Sequence, residues 1–117
     1  MNKRQLGSTK EKEAGAELER RGYEIETYNF RCRIGEIDII AKQGGCLVFV
    51  EVKYRKDDRM GDPALAVNQK KQRTICKVAD YYKMVNHLEE ATSCRFDVVA
   101  ITGGQIRVIE NAFSYCH

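Results

Sequence analysis

The chain has 117 residues, of which 43% are hydrophobic and 32% charged, with a formal net charge of +3. That length sets an expectation of one compact domain over 1–117 with a core just large enough to be stable alone, and the composition excludes a disordered or collagen-like chain. No apolar run approaches the ~20 residues of a membrane span, and the polar start Met1-Asn-Lys-Arg-Gln is not followed by a secretory h-region, so a cytoplasmic protein without a membrane partner is expected.

The first predicted element is a helix from Ser8 to Arg21. Ser8 with Glu11 three residues later matches a capping box, and Glu11, Ala14, Gly15 and Leu18 share one face. The small pair Ala14-Gly15 would let this helix lie close against a sheet, and Gly22 suits its C′ position. Glu11 has two readings, as a capping residue or as an acid at the end of the inward face. A strand follows from Tyr23 to Asn29, and Arg31-Cys-Arg33 forms a basic connector.

Gly35 to Lys42 and Leu47 to Arg55 are Ile- and Val-rich strand candidates around Gly44-Gly45, a hairpin turn signal. Folding about the midpoint of that turn sets Asp38 opposite Glu51 and Glu36 opposite Lys53. Strict alternation puts Glu36, Asp38 and Ile40 on one face, and Leu47, Phe49, Glu51, Lys53 and Arg55 on one face of the partner. Two carboxylates directly opposed across a strand pair repel. Either a divalent cation between them or the ammonium of Lys53 would offset that repulsion, since hard oxygen ligands suit Mg²⁺. The alternative is a plain Glu36–Lys53 ion pair on a solvated face.

Tyr54 to Gly61 is a polar loop beside these acids, and Asp62-Pro63 suggests a short helical turn. Asn68 is an N-cap candidate for a long helix to about Asn86, with Ile75, Val78, Ala79, Tyr82 and Val85 as its core stripe. Lys70, Lys71 and Arg73 in its first turns oppose the helix dipole, a cost that an external phosphate would offset. Arg95 to Thr102 is a further strand in which Asp97 is read as structural. After the Gly103-Gly104 turn, Gln105 to Glu110 returns as an edge strand. The five cysteines, odd in number and without a C-x-x-C pair, are expected as reduced thiols, with Cys116 incidental.

Asp38 followed by Glu51-Val52-Lys53 in a hairpin resembles the core of the PD-(D/E)XK nucleases. More specifically, Asn29-Phe-Arg-Cys-Arg-Ile-Gly-Glu-Ile-Asp38 and Leu47-Val-Phe-Val-Glu-Val-Lys53 are similar to the YraN-like family of functionally uncharacterised bacterial proteins. Gly61-Asp-Pro-Ala-Leu-Ala-Val67, Lys71-Gln-Arg73 and Arg95-Phe-Asp-Val-Val99 carry the same resemblance. The element order α-β-β-β-α-β-β is that of a mixed sheet flanked by helices, a three-layer α/β domain. The resemblance implies a restriction-endonuclease-like fold.

The resemblance also implies metal-dependent hydrolysis of phosphodiester bonds, in DNA more than RNA. Asp38, Glu51 and the Val52 carbonyl would hold Mg²⁺ or Mn²⁺, Lys53 would activate water, and Glu11 would support the metal. Arg33, Arg55, Lys70, Lys71 and Arg73 would contact the nucleic-acid backbone. The layout is similar to that of archaeal Holliday-junction resolvases, which act as homodimers, and this makes branched DNA an attractive substrate. Two alternatives stand beside this reading: a noncatalytic nucleic-acid-binding module on the same fold, and a protein-interaction domain.

Overall fold

A computed structural model describes residues 9–57, 59, 61 and 67–116. The Ser8 cap, the Asp62-Pro63 turn and part of the 54–61 loop lie outside the described residues. The elements are α1 (Thr9–Arg20), β1 (Glu24–Arg31), β2 (Glu36–Gln43), β3 (Cys46–Arg55), α2 (Gln69–Val85), β4 (Cys94–Thr102) and β5 (Gln105–Phe113). This is the expected order. The five strands form one sheet in sequence order. Only β3 and β4 are parallel, and they are joined through α2, because parallel neighbours need a crossover that a hairpin cannot supply.

The two helices cover opposite faces. Ala14 and Leu18 of α1 pack with Tyr23, Ile39, Val48, Val50 and Val99. Ile75, Val78 and Ala79 of α2 pack with Ile40, Leu47, Phe49 and Phe96. Alternation along β3 divides Leu47 and Phe49 from Val48 and Val50, so this central strand is apolar on both sides. A three-layer α/β domain results.

Local chemistry explains how the elements begin and end. Tyr23 N–H donates to Leu18 C=O at 3.0 Å and Gly22 N–H to Glu19 C=O at 3.0 Å. That pair of bonds closes α1 with Gly22 at φ +90°, a Schellman end. At the start of α2, Asn68 Oδ1 accepts the Lys71 N–H at 2.9 Å, as expected of the cap. The stripe departs from expectation at its end, where Val85 is 41% exposed and Lys83 is buried. At 100° per residue the inward face is centred near Ala79 and Lys83, which leaves Val85 at its margin. Lys83 Nζ donates to the Glu90 carbonyl at 3.2 Å and lies 5.0 Å over the Tyr115 ring.

Gly15 sits under Tyr28, and a Cβ there would collide with the phenol oxygen and the ring carbons. Gly15→Ala is therefore expected to destabilise the domain by about 1–3 kcal/mol through overpacking, despite alanine's better helix propensity. Tyr28→Phe in the same chain should recover part of the loss. Urea midpoints of the two single variants and the double variant check this, and a Gly15→Ala protein as stable as wild type would contradict it.

All five cysteines are free. Cys116 is not incidental, because its N–H donates to Cys76 Sγ at 3.2 Å. The sulfurs themselves lie 3.1 Å apart. Burial pushes the Cys76 thiol up to about 12, so it stays protonated at neutral pH and packs as a small apolar group.

Candidate functional site

The β2–β3 ladder pairs Gln43 with Cys46 and continues without slippage to Ile39 opposite Val50. That is the register expected from the glycine turn, and its extension sets Asp38 beside Glu51. The ladder stops there. Where it stops, the Val52 N–H donates to Asp38 Oδ2 at 2.8 Å, so a side-chain carboxyl takes a backbone donor that the neighbouring strand no longer serves. Asn29 of β1, at φ +52°, falls between the Phe30–Ile37 and Tyr28–Ile39 pairs, facing Asp38.

This irregularity corrects the expected face pattern. Ile37 and Ile40 both belong to the α2-side core and Ile39 to the α1-side core. The alternation of β2 is therefore broken beside Asp38, and Ile37 shares a face with Ile40, which strict alternation does not allow. Glu36 is corrected as well. Its Oε2 lies 2.9 Å from Arg31 Nε across the β1–β2 pair, so Glu36 is committed to β1 and the Glu36–Lys53 ion pair does not form.

Lys53 instead turns to Glu51, its neighbour two residues back on the same face, at 3.6 Å. Lys71 from the first turn of α2 reaches the same Glu51 Oε2 at 3.3 Å. Glu51 is only 4% exposed, and two ammonium groups offset the cost of keeping its charge away from water. Lys71 was expected on a phosphate. Strand pairing carries no signal for this contact with Glu51, which depends on how α2 lies over β3.

The Asp38 carboxyl is hydrogen-bonded to that of Glu51, and its pKa is pushed up to about 9. Burial is the largest cause and the Glu51 carboxylate the next, with Glu11 adding to the rise and the Val52 N–H opposing it. Two carboxyls in contact inside a protein cannot both ionise without a cation between them. Without a cation a proton takes that place, which is the direction of the Asp38 shift.

The remaining expected residues are more spread out. Glu11, in the first turn of α1, is near enough to act electrostatically on both Asp38 and Tyr28. Arg33 is exposed on the β1–β2 loop. Arg55 ends β3, and its Nη1 donates to the Tyr54 carbonyl at 3.1 Å. Lys70 and Arg73 are exposed on α2. At 100° per residue Arg73 lies on the opposite flank from Lys71, so these three cations do not form one cluster. Asp97 stands apart from the site, fully buried and bonded to Tyr23, Arg95 and the Asn111 N–H.

The donor set is two carboxyls with a backbone group beside them. Among the described residues no group of three or more His, Cys, Asp or Glu side chains converges as a metal cage. Two oxygen ligands fit the habit of Mg²⁺, which keeps several waters and takes only one or two carboxylates. They would not suit a structural zinc, which wants four nitrogen or sulfur donors. No helix among the described residues is long and apolar enough to cross a membrane.

Comparison with known proteins shows what the whole chain is similar to. The model of the uncharacterised protein family UPF0102 matches residues 10–101. A UPF0102 protein of Lachnoclostridium phytofermentans is 53% identical over 97% of this chain and 96% of its own length. One from Caldicellulosiruptor saccharolyticus is 44% identical over 97% and 100%, and one from Syntrophus aciditrophicus is 44% identical over 95% and 90%. With both the family model and near full-length relatives in agreement, this chain belongs to the uncharacterised protein family UPF0102.

Proposed function

We propose that this protein is a metal-dependent nuclease of the PD-(D/E)XK type on a restriction-endonuclease-like fold, acting on DNA without sequence readout. The observation that carries the reading is the Asp38–Glu51 carboxyl pair, with Lys53 3.6 Å from Glu51. An acid pair with one member buried and a lysine at its rim is costly for stability and suited to chemistry.

In this reading Asp38 and Glu51 would hold Mg²⁺ or Mn²⁺, with the carbonyl of Val52 as a further ligand and Glu11 in support. Such an ion, when bound, supplies Lewis-acid polarisation of a phosphodiester and a more acidic water. The chain's own residues do the rest. Asp38 must give up its proton before it can serve as a ligand. Lys53 holds its ammonium beside Glu51, where it orients water and stabilises charge developing on the phosphate. Lys71 holds the same Glu51 oxygen from the α2 side, at 3.3 Å. Arg33, Arg55, Lys70 and Arg73 would attract the backbone through salt-sensitive contacts.

A second reading has its own observation. Glu51 already holds two lysines, so the acid pair is electrostatically complete without a cation, as a noncatalytic nucleic-acid-binding module on the same fold would require. Incubation with single-stranded, duplex and four-way-junction DNA and with RNA, in Mn²⁺ or Mg²⁺, separates the two. The nuclease predicts cleavage that falls at least ~100-fold in both Asp38→Asn and Lys53→Ala, the scale seen when one transition-state donor is removed. Salt-sensitive binding without cleavage by the wild type would transfer the assignment to the binding module.

A further inference from the structure

We infer that the groove between the β1–β2 loop and the flank of α2 is a pocket for one unpaired nucleobase, which makes single-stranded or distorted DNA the substrate of the neighbouring acids; this rests on the nuclease reading above. The pocket has a volume of about 280 Å³ and is lined by Arg31, Cys32, Arg33, Ile34 and Tyr81. That is at the small end of ligand sites, the size for one planar heterocycle and not for a duplex.

Its lining is of two kinds. Ile34, 48% exposed, and Tyr81, 38% exposed, present apolar and aromatic surface to the solvent. Arginine guanidinium planes and aromatic rings are the two groups on which bases stack, and each tolerates any base. Arg31 is held by Glu36 at 2.9 Å, which fixes its plane. Arg33, exposed beside it, is then the cation for the adjoining phosphate.

The walls are built and not merely adjacent. The loop is closed by the Cys32 N–H to Gly35 carbonyl bond at 2.9 Å. Gly35 lies so close to α2 that a Cβ there would stand 2.8 Å from Thr74 Cγ2. Phe30 supports Tyr81 with ring centroids 6.2 Å apart. At 100° per residue, Lys70, Thr74, Lys77 and Tyr81 lie along the flank of α2 that borders this loop, so the aromatic ring ends a basic edge.

Position links the pocket to the acids. A second cavity of about 350 Å³ shares Arg31 and Cys32 and reaches Gly35 and Glu36. Glu36 is two strand residues, ~7 Å, from Asp38. A single strand seated in the groove therefore runs toward the carboxyl pair, whereas a paired base is held in its stack and cannot enter.

The test is anisotropy of labelled 20-mer DNA, as a mixed-sequence single strand and as its duplex, with chelator present to prevent cleavage. Wild type is expected to prefer the single strand. Tyr81→Ala should weaken single-strand binding ~10-fold while changing duplex binding less than twofold, Arg33→Ala, which removes a phosphate contact, should weaken both, and Tyr81→Phe should keep the preference. Thermal melts of each variant show that it is folded. If both alanine variants bind the single strand as wild type does, the pocket assignment is overturned, while cleavage by the same preparations in Mn²⁺ still decides the nuclease reading. If wild type neither binds nor cleaves any nucleic acid, both fall, and an aromatic side chain of a protein partner becomes the occupant to seek.

Discussion

Asp97→Ala is expected to cost about 3–5 kcal/mol, the penalty for breaking a buried ion pair from one side, which is a large share of the 5–15 kcal/mol that holds a typical domain folded. Asp97 is 0% exposed and both of its oxygens are used. Oδ1 accepts Arg95 Nε at 2.9 Å and the Asn111 N–H at 2.9 Å. Oδ2 accepts the Tyr23 hydroxyl at 2.6 Å and Arg95 Nη2 at 2.9 Å. The forked guanidinium contact is the geometry in which arginine pairs best.

The carboxylate also explains the sheet around it. The β4–β5 register shifts between Phe96 and Val98, opposite Asn111 at φ +53°, and the N–H that leaves the ladder there is the one Asp97 accepts. Alanine would leave that N–H, the hydroxyl and a half-buried guanidinium without their shared acceptor. Burial, and then the carboxylate, raise the Tyr23 pKa, so the hydroxyl remains a donor throughout the working range. Asp97→Asn keeps the shape and part of the hydrogen bonding and should cost about 2 kcal/mol, while Tyr23→Phe should cost about 1 kcal/mol. Urea unfolding is the measurement, read as a fall in midpoint at constant slope. An Asp97→Ala protein within 1 kcal/mol of wild type would show that the network is dispensable.

What could be read before the fold was known followed from local signals. The Gly44-Gly45 turn fixed the hairpin register because two residues with positive φ leave only one way to pair the flanking strands. Asn68 announced α2 because its side chain serves the first turn of its own helix. Gly22 ended α1 for a similarly local reason. Asp97 reads as structural, and its three partners, Tyr23, Arg95 and Asn111, agree with that.

The misreadings arose where a residue's role depends on a distant element. Strict alternation along β2 fails beside Asp38, across from the positive-φ Asn29 of β1, so that Ile37 shares a face with Ile40. Lys71 reads as a phosphate contact from its place in a helix, while its contact with Glu51, set by how the crossover lays that turn over β3, has no local signal. Glu36 was paired through β3, whereas its register with Arg31 belongs to β1. Strand β5 was ended at Glu110 and reaches Phe113, because the bulge opposite Asp97 lets pairing resume. Local sequence encodes caps and turns; the electrostatic partners of a buried acid are chosen by packing.

Asp97 and the half-buried Asp38 differ in a way that gives the second large prediction. Asp97 meets a guanidinium, whereas Asp38 meets another carboxyl. Asp38→Asn should therefore stabilise the metal-free protein at pH 8, while removing the cleavage that the proposed nuclease function predicts. The folded pKa of Asp38 is about 9, against an unfolded value near 3.9. Between those values the folded state binds more proton than the unfolded state, so stability falls as pH rises. The limiting slope is about 1.4 kcal/mol per pH unit. The contribution from the proton is fully present below about pH 4 and fully lost above about pH 9.

Asparagine has the shape of the neutral acid, accepts the Val52 N–H in the same way and cannot ionise beside Glu51. Wild type in chelator should thus lose melting temperature steadily from pH 5 to pH 9, and Asp38→Asn should lose less. The variant should be more stable at pH 8 by on the order of 2 kcal/mol, less than the full shift allows because solvent screens part of the repulsion. Mg²⁺ should raise the melting temperature of wild type more at pH 8 than at pH 6, since the ion must displace the Asp38 proton, and should leave the variant unchanged. A variant less stable than wild type at pH 8 would mean that the two carboxyls do not compete for charge, and the case for a cation between them would fail with it.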